Sequence, residues 1–248
     1  MISEPSLLWL EPGDTFPDAG HAWSKESDAP GLLAAGGCLD TGTLIRAYSQ
    51  GIFPWYSAGQ PILWWSTDPR MVLNTEHFKL HRSFKKTIKN FSANSNCEIR
   101  FDASFKAVIQ NCASVRRGGQ SGTWILPEMV AAYQSLHDDG YAHSVETWID
   151  GKLVGGLYCV CIGRAVFGES MFSHRPDASK LALAALVAFC RAHDISHIDC
   201  QQNTRHLASM GAAEMPRPQF VALVQTAISL APPAWRFEPL YWTSILGH

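Results

Sequence analysis

The chain has 248 residues and a mass of 27.4 kDa; 46% of its residues are hydrophobic and 17% are charged. This composition excludes a disordered chain and is sufficient for a sizeable core. With 20 basic and 22 acidic side chains the formal net charge is −2. This excludes nucleic-acid binding through bulk positive charge but permits a local basic patch. No apolar run spans a bilayer, and no basic segment followed by an apolar stretch begins the chain, so we expect neither membrane insertion nor a signal peptide.

Residues 1–75 are rich in glycine, proline and tryptophan, and they predict a small irregular N-terminal domain with one helix at 44–50. Thr41 or Thr43 is the expected N-cap of that helix, and Gly51 is its expected end.

Residues 76–248 follow a more regular pattern, which predicts a second domain of the α+β class with a mostly antiparallel sheet and one helical crossover. The Asp150-Gly151 pair between two alternating segments indicates a β-hairpin. The predicted helices lie at 77–90, 103–114, 127–139, 177–193, 203–210 and 217–229. The predicted strands lie at 141–149, 152–160, 164–172 and 195–201.

The seven cysteines are odd in number and contain no CxxC pair, which favours free thiols in a cytoplasmic, reducing compartment. The ten histidines are scattered, and no cysteine or histidine cluster has the spacing of a zinc site. The sequence therefore predicts no metal centre.

Two predicted strands carry isolated polar side chains on otherwise apolar segments. In the last strand, Asp199 and Gln201 are expected to share one face, and Cys200 is expected to point the other way. In the third strand, Phe167, Glu169 and Met171 are expected on one face. Such groups need partners, so each set is interpreted either as a structural hydrogen-bond network or as the polar anchor of an apolar ligand site.

A helix over 77–90 would place its apolar residues on one stripe and four cations opposite them, with no carboxylate between. A charge run of this kind forms either a solvated helix face or a contact surface for a phosphate backbone. The four cations are Arg82, Lys85, Lys86 and Lys89.

Nine tryptophans are a high number for this length, and four of them adjoin glycine, proline or serine in loop-like segments: Trp55, Trp64, Trp65 and Trp124. Each is interpreted either as a core residue of a small domain or as a platform on which a nucleobase stacks, worth about 1–3 kcal/mol.

Together these segments resemble one family, the bacterial leucyl/phenylalanyl-tRNA–protein transferases. The resemblance runs from about residue 31 to about residue 218. It rests on the ordered motifs GLLAAGGCL (31–39), YSQGIFPWYS (48–57), PILWWSTDPR (61–70), GTWI (122–125), HSVE (143–146), VGGLY (154–158), FGESMFS (167–173), ASK (178–180), IDCQ (198–201) and ASMGA (208–212).

The resemblance implies a cytoplasmic enzyme of the N-degron pathway. It would move Leu, Phe and, less readily, Met from aminoacyl-tRNA to the α-amino group of proteins that begin with Arg or Lys. The implied fold is a small N-terminal domain followed by a domain similar to the acetyltransferase (GNAT) superfamily. No metal or organic cofactor is implied.

Residue roles follow from the same resemblance. The implied catalytic residues are Asp199, Gln201 and Glu169. The implied substrate pocket comprises Leu157, Val166, Met171, Leu186, Ile198 and Trp124, with Trp55 stacking on the terminal adenosine. The four cations of the basic helix would contact the tRNA acceptor stem. We expect Gln201, oriented by Asp199, to hold the attacking amine, Asp199 to stabilise its developing positive charge, and Glu169 to orient the amine or the ribose hydroxyls.

Three other functions compete with this interpretation. An acyl-CoA-dependent N-acetyltransferase would need a glycine-rich turn before a helix, which the segment RPDASK (175–180) lacks. A non-catalytic RNA-binding module would use only the basic helix and the tryptophans. A cysteine hydrolase would use Cys200, with His197 or His206 as its base.

Overall fold

The N-terminal part of the chain forms a four-stranded sheet. The computed structural model describes residues 7–114 and 125–247. The strands of this sheet, in the order β1-β2-β4-β3, are β1 (Leu8–Leu10), β2 (Leu32–Gly36), β3 (Phe53–Pro54) and β4 (Leu63–Trp65). Helix α1 (Thr41–Ser49) begins three residues before its predicted start, because the carboxylate of Asp40 accepts the Thr43 N–H at 3.0 Å and caps the helix.

A seven-stranded sheet organises the rest of the chain, in the order β11-β5-β10-β9-β8-β7-β6. Its strands are β5 (Arg70–Asn74), β6 (Cys97–Phe101), β7 (Ala142–Ile149), β8 (Lys152–Ile162), β9 (Ala165–Ser173), β10 (His197–Asp199) and β11 (Ala213–Met215). All neighbouring pairs are antiparallel except β9 with β10. This confirms the α+β class and the mostly antiparallel sheet. Because β5 belongs to this sheet, the sheet begins at Arg70 rather than after residue 75.

Helices cover both faces of the large sheet. They are α2 (Arg82–Ser92), α3 (Phe105–Ser114), α4 (Pro127–Asp138), α5 (Ala178–Ala192), α6 (Arg205–Ser209), α7 (Arg217–Ile228) and α8 (Thr243–Leu246). Buried residues of α1, α3, α4 and α7 pack in one core cluster, and those of α2, α5 and α8 pack in a second. Within the described part of the chain, no helix has the length and apolar content needed to cross a membrane.

The basic helix and the last predicted strand differ from the structure at their ends. The helix predicted from residue 77 begins at Arg82, because the Lys79 N–H donates to the Met210 carbonyl and holds the preceding segment out of the helix. The strand predicted at 195–201 ends at Asp199, since Gln201 adopts a left-handed backbone conformation with φ 53°. The hairpin at Asp150-Gly151 is confirmed, with positive φ at both residues.

The parallel strands β9 and β10 separate close to Glu169 and Gln201. Pairing covers only Ile198 with Val166 and Asp199 with Phe167, and β9 then continues without β10. A β-bulge leaves Glu169 without a partner on β8, since Tyr158 pairs with Ser170 and Cys159 with Gly168.

The bulge changes which side chains share a face of β9. Phe167 packs in the core cluster of α1 and α4, whereas Met171 packs against the cluster of α5. The prediction that Phe167, Glu169 and Met171 share one face is therefore wrong, because the extra residue reverses the alternation.

Candidate active site

A cavity of about 660 Å³ lies between β9 and the segment that follows β10. Its volume is in the range typical of small-molecule sites. The apolar lining is formed by Phe53, Pro54, Trp55, Leu157, Met171, Leu183, Leu186, Ile198 and Leu207. The polar lining includes Glu169, Gln201, Gln202, Thr204 and His206. The structure thus brings Leu157, Met171, Leu186, Ile198, Trp55, Glu169 and Gln201 of the predicted residues to one cavity.

Two residues of the predicted pocket are not part of this lining. Val166 pairs with Ile198 in the closed part of the ladder and instead lines a separate cavity of about 160 Å³. It therefore lies before the point where the strands separate. Trp124 lies outside the described residues.

Glu169 is a carboxyl group without a cationic partner among the described residues. One oxygen accepts a hydrogen bond from the Tyr133 hydroxyl at 3.2 Å, and the other accepts from the Gln201 amide at 3.3 Å. The Tyr133 hydroxyl also bonds to that of Tyr48. Burial raises the pKa of Glu169 from 4.5 to about 7, while the nearby charges of Asp199 and Arg70 act on it in opposite directions. The group therefore changes its protonation state near neutral pH.

Gln201 is fixed by its backbone and presents its side chain to the cavity. Its N–H donates to Asp199 at 2.9 Å, and its carbonyl oxygen accepts from Thr67 at 3.2 Å and from the Met71 N–H at 3.3 Å. The side-chain nitrogen donates to Glu169. The amide oxygen is therefore the group that remains to accept a hydrogen bond from a ligand.

Asp199 does not face the cavity as an open carboxylate. It is 2% exposed, and both its oxygens are bound by Arg70, at 2.8 Å from Nε and 2.7 Å from Nη2. The expectation that Asp199 stabilises a substrate charge directly is corrected by this geometry, because its charge is already neutralised. Its contact with the Gln201 N–H supports the part of the prediction in which Asp199 orients Gln201.

Arg70 is a residue of this region for which the sequence predicted no role. It is fully buried, donates to the Gly51 carbonyl, and lies between the rings of Phe53 and Phe220, each 4.6 Å from its guanidinium carbon. The need of a buried Asp199 for a cation was the available signal. Arg70 ends the PILWWSTDPR motif, which lies far from Asp199 in sequence.

Of the tryptophans singled out in the sequence, some lie in the core and one lies at the cavity. Trp55 lines the cavity, and its carbonyl accepts the Trp65 indole N–H at 2.6 Å, with the two rings edge to face. Trp64 is fully buried in the core. Only Trp55 of these three is therefore positioned to contact a ligand in the cavity.

Cys200 lines the cavity, contrary to the expectation that it points away from Gln201. The strand ends at Asp199, so strand alternation does not extend to it. Burial raises the pKa of its thiol to about 12, so the thiolate required of a nucleophile does not form at neutral pH.

The helix that would bind a CoA pyrophosphate has a carboxylate at its start. Asp177 precedes α5 with a positive φ of 63°, and its side chain bonds to Lys180 at 2.9 Å. An acidic group at this position opposes an anionic ligand at the helix N-terminus.

The basic residues of α2 form an exposed face. Arg82, Lys85, Lys86 and Lys89 are all exposed, while Phe84, Ile88 and Phe91 are buried. This confirms the predicted division of the helix into an apolar and a cationic face. None of the four cations forms an ion pair with another described residue.

Comparisons with known proteins identify the chain's relatives. The profile of the leucyl/phenylalanyl-tRNA protein transferase matches residues 72–225, and that of its N-terminal domain matches residues 37–68. A leucyl/phenylalanyl-tRNA–protein transferase from Polaromonas sp. is 63% identical over 238 residues, or 96% of this chain and 93% of that protein. One from Albidiferax ferrireducens is 59% identical over 242 residues, or 98% of this chain and 95% of that protein.

Among solved structures, a GCN5-related N-acetyltransferase from Kribbella flavida is 11% identical, with a TM-score of 0.35 over 71% of this chain and 61% of that chain. The sequence relatives cover nearly the whole of both chains at high identity. The chain belongs to the leucyl/phenylalanyl-tRNA protein transferase family.

Proposed function

We propose that this chain transfers leucine or phenylalanine, and less readily methionine, from aminoacyl-tRNA to the α-amino group of a protein that begins with arginine or lysine. The products are a new peptide bond and free tRNA, and the new N-terminus marks the acceptor for degradation in the cytoplasm. The observation that carries this proposal is an apolar cavity with a titratable carboxyl and an amide at its wall, in a chain of this family.

The apolar side of the cavity binds the side chain of the aminoacyl group. Leu157, Met171, Leu186 and Ile198 supply this surface, and Val166 supports Ile198 from the neighbouring strand. Each methylene of the substrate contributes about 1–3 kcal/mol to discrimination. Trp55 stacks on the terminal adenosine.

The reaction needs little activation because the aminoacyl ester is already energised. The acceptor nitrogen attacks the ester carbonyl, a C–N bond forms, and the bond from that carbon to the ribose oxygen breaks. Positioning of the two reactants supplies much of the acceleration. The Gln201 oxygen accepts a hydrogen bond from the amine, and the Glu169 carboxylate takes the proton that the amine loses. The proton then passes to the ribose oxygen as it leaves.

The pKa of Glu169 suits this role. A value of about 7 is close to that of an α-ammonium group, about 7.7–8.0, so proton transfer between them is nearly balanced. Asp199 acts as a positioning residue, since Arg70 already neutralises it and its contact with the site runs through the Gln201 backbone.

The exposed face of α2 binds the phosphate backbone of the tRNA acceptor stem through Arg82, Lys85, Lys86 and Lys89. We expect K85A/K86A to raise the KM for aminoacyl-tRNA and to reduce the slope of log affinity against log salt by about 1.5. The KM for the peptide acceptor should not change. The control K25A/K152A removes two exposed lysines outside α2 and should leave both values at those of the wild type. An unaltered salt slope in K85A/K86A excludes this RNA contact.

One assay tests the proposed function against its alternatives. The protein is incubated with labelled Leu-tRNA and a peptide that begins with arginine, and label should enter the peptide. Transfer from labelled acetyl-CoA instead indicates an N-acetyltransferase, and retention of Leu-tRNA without any transfer indicates an RNA-binding module. Activity that persists after thiol blocking excludes the cysteine hydrolase.

A further inference from the structure

Glu128 is an exposed carboxylate for which the described part of the chain provides no cation. It is the second residue of α4, and its polar contact there is the Tyr56 hydroxyl at 3.5 Å. No described lysine, arginine or histidine forms an ion pair with it. A cation from outside the chain can therefore bind it without displacing one of these residues.

Two connections link Glu128 to the cavity. Tyr56 directly follows Trp55 of the cavity lining; it is 4% exposed, and burial together with the charge of Glu128 raises its pKa to about 12. Helix α4 also carries Tyr133, which donates to Glu169. Glu128 and Tyr133 are five positions apart on this helix, a rise of about 7.5 Å along its axis.

Two other carboxylates near the cavity already have partners, and Glu169 is in addition assigned to the acceptor's amine. Both oxygens of Asp199 are bound by Arg70, and those of Glu169 are bound by Tyr133 and Gln201. Glu128 is the remaining carboxylate of these three. Glu128 is exposed and lies next to Tyr56, so it suits a side chain that extends outward from an amine held at Gln201 and Glu169.

We infer that Glu128 is a specificity-determining residue that binds the guanidinium or ammonium group of the acceptor's first residue. Tyr56 holds its carboxylate in place. This inference rests on the proposed function and assigns a binding group to the acceptor side of the same site.

Peptides that begin with arginine or with citrulline, its neutral isostere, test this inference. For E128Q we expect the KM of the arginine peptide to rise about tenfold, as for the loss of a charge-assisted hydrogen bond. The KM values of the citrulline peptide and of Leu-tRNA should stay unchanged, so that discrimination between the peptides collapses. E128D should restore part of it, and E26Q, which removes an exposed carboxylate elsewhere, should behave as the wild type.

The outcomes separate this inference from the function on which it rests. An active wild type whose arginine-to-citrulline discrimination persists in E128Q overturns the role of Glu128 alone. A wild type that labels neither peptide overturns the proposed function and the role of Glu128 together. Since Glu128 is exposed, the melting temperatures of E128Q and the wild type should agree, and this is checked before the kinetics.

Discussion

Two carboxylates near the same cavity, Asp199 and Glu169, lie in opposite electrostatic environments. Asp199 is buried against Arg70, and every oxygen has a charged or backbone donor. Glu169 is bound by a tyrosine hydroxyl and an amide, both neutral, and burial raises its pKa to about 7. The first group is therefore held in an ion pair that orders the structure, and the second can exchange a proton near neutral pH.

This difference shows that the fold uses one carboxylate to fix the structure and leaves the other free to exchange a proton. Arg70 joins the segment at Gly51, the end of β10 and Phe220 of α7 through one buried guanidinium. Its ion pair fixes the backbone at Gln201, and Gln201 in turn bonds to Glu169. The Arg70–Asp199 pair thus holds Gln201 in place without lining the cavity, while Glu169 lines it.

The largest effect should follow from breaking the buried pair. D199A leaves the Arg70 charge buried without its partner, and we expect the free energy of unfolding to fall by about 3–5 kcal/mol. Urea denaturation measures this. The control E238A breaks an exposed pair with Arg236 and should change stability by less than about 1 kcal/mol. A D199A protein as stable as E238A would contradict the structural role of Asp199.

A second prediction concerns Glu169 as the proton acceptor. Since its pKa is raised to about 7, the carboxylate is lost as pH falls through 7, and the rate should fall with it. E169Q should lower kcat/KM at pH 7.5 by about 100-fold and remove this limb of the pH–rate profile. The limb due to the acceptor amine near pH 8 should persist. If the pH–rate profile of E169Q keeps both limbs, Glu169 is not the proton acceptor.

A smaller effect should follow from the tyrosine contact. Tyr133 donates to Glu169 and favours its charged form, so Y133F should raise the pKa of Glu169 further, by about half a unit. The acidic limb of the pH–rate profile should move to higher pH by the same amount. The control Y241F removes a hydroxyl that contacts His193, and its profile should match the wild type. A shift to lower pH in Y133F would contradict the assigned direction of this hydrogen bond.

The sequence predicted those elements whose signals are local. A long apolar segment predicted helix α5, and the Asp150-Gly151 pair predicted the β7–β8 hairpin. The strands of the large sheet that were missed, β5, β6 and β11, are at most five residues long, and two of them, β6 and β11, form the edges of that sheet. Short strands carry too few alternations to be distinguished from loops.

At the site, the sequence predicted residue types better than their geometry. Alternation placed Asp199 with Gln201, but the end of β10 and the bulge at Glu169 depend on pairing with other strands. The Arg70–Asp199 contact joins residues 129 positions apart. Trp55 and Trp64 have similar local sequences, and only tertiary packing distinguishes the cavity residue from the core residue.

The difference between the two carboxylates can be measured directly. A protein labelled with ¹³C at glutamate carboxyl carbons is titrated by NMR, and the Glu169 signal is assigned as the one absent from E169Q. We predict that this signal titrates with a pKa of about 7. A Glu169 signal that titrates at or below its usual pKa of 4.5 would contradict this assignment, because burial would then not disfavour the charged form of Glu169.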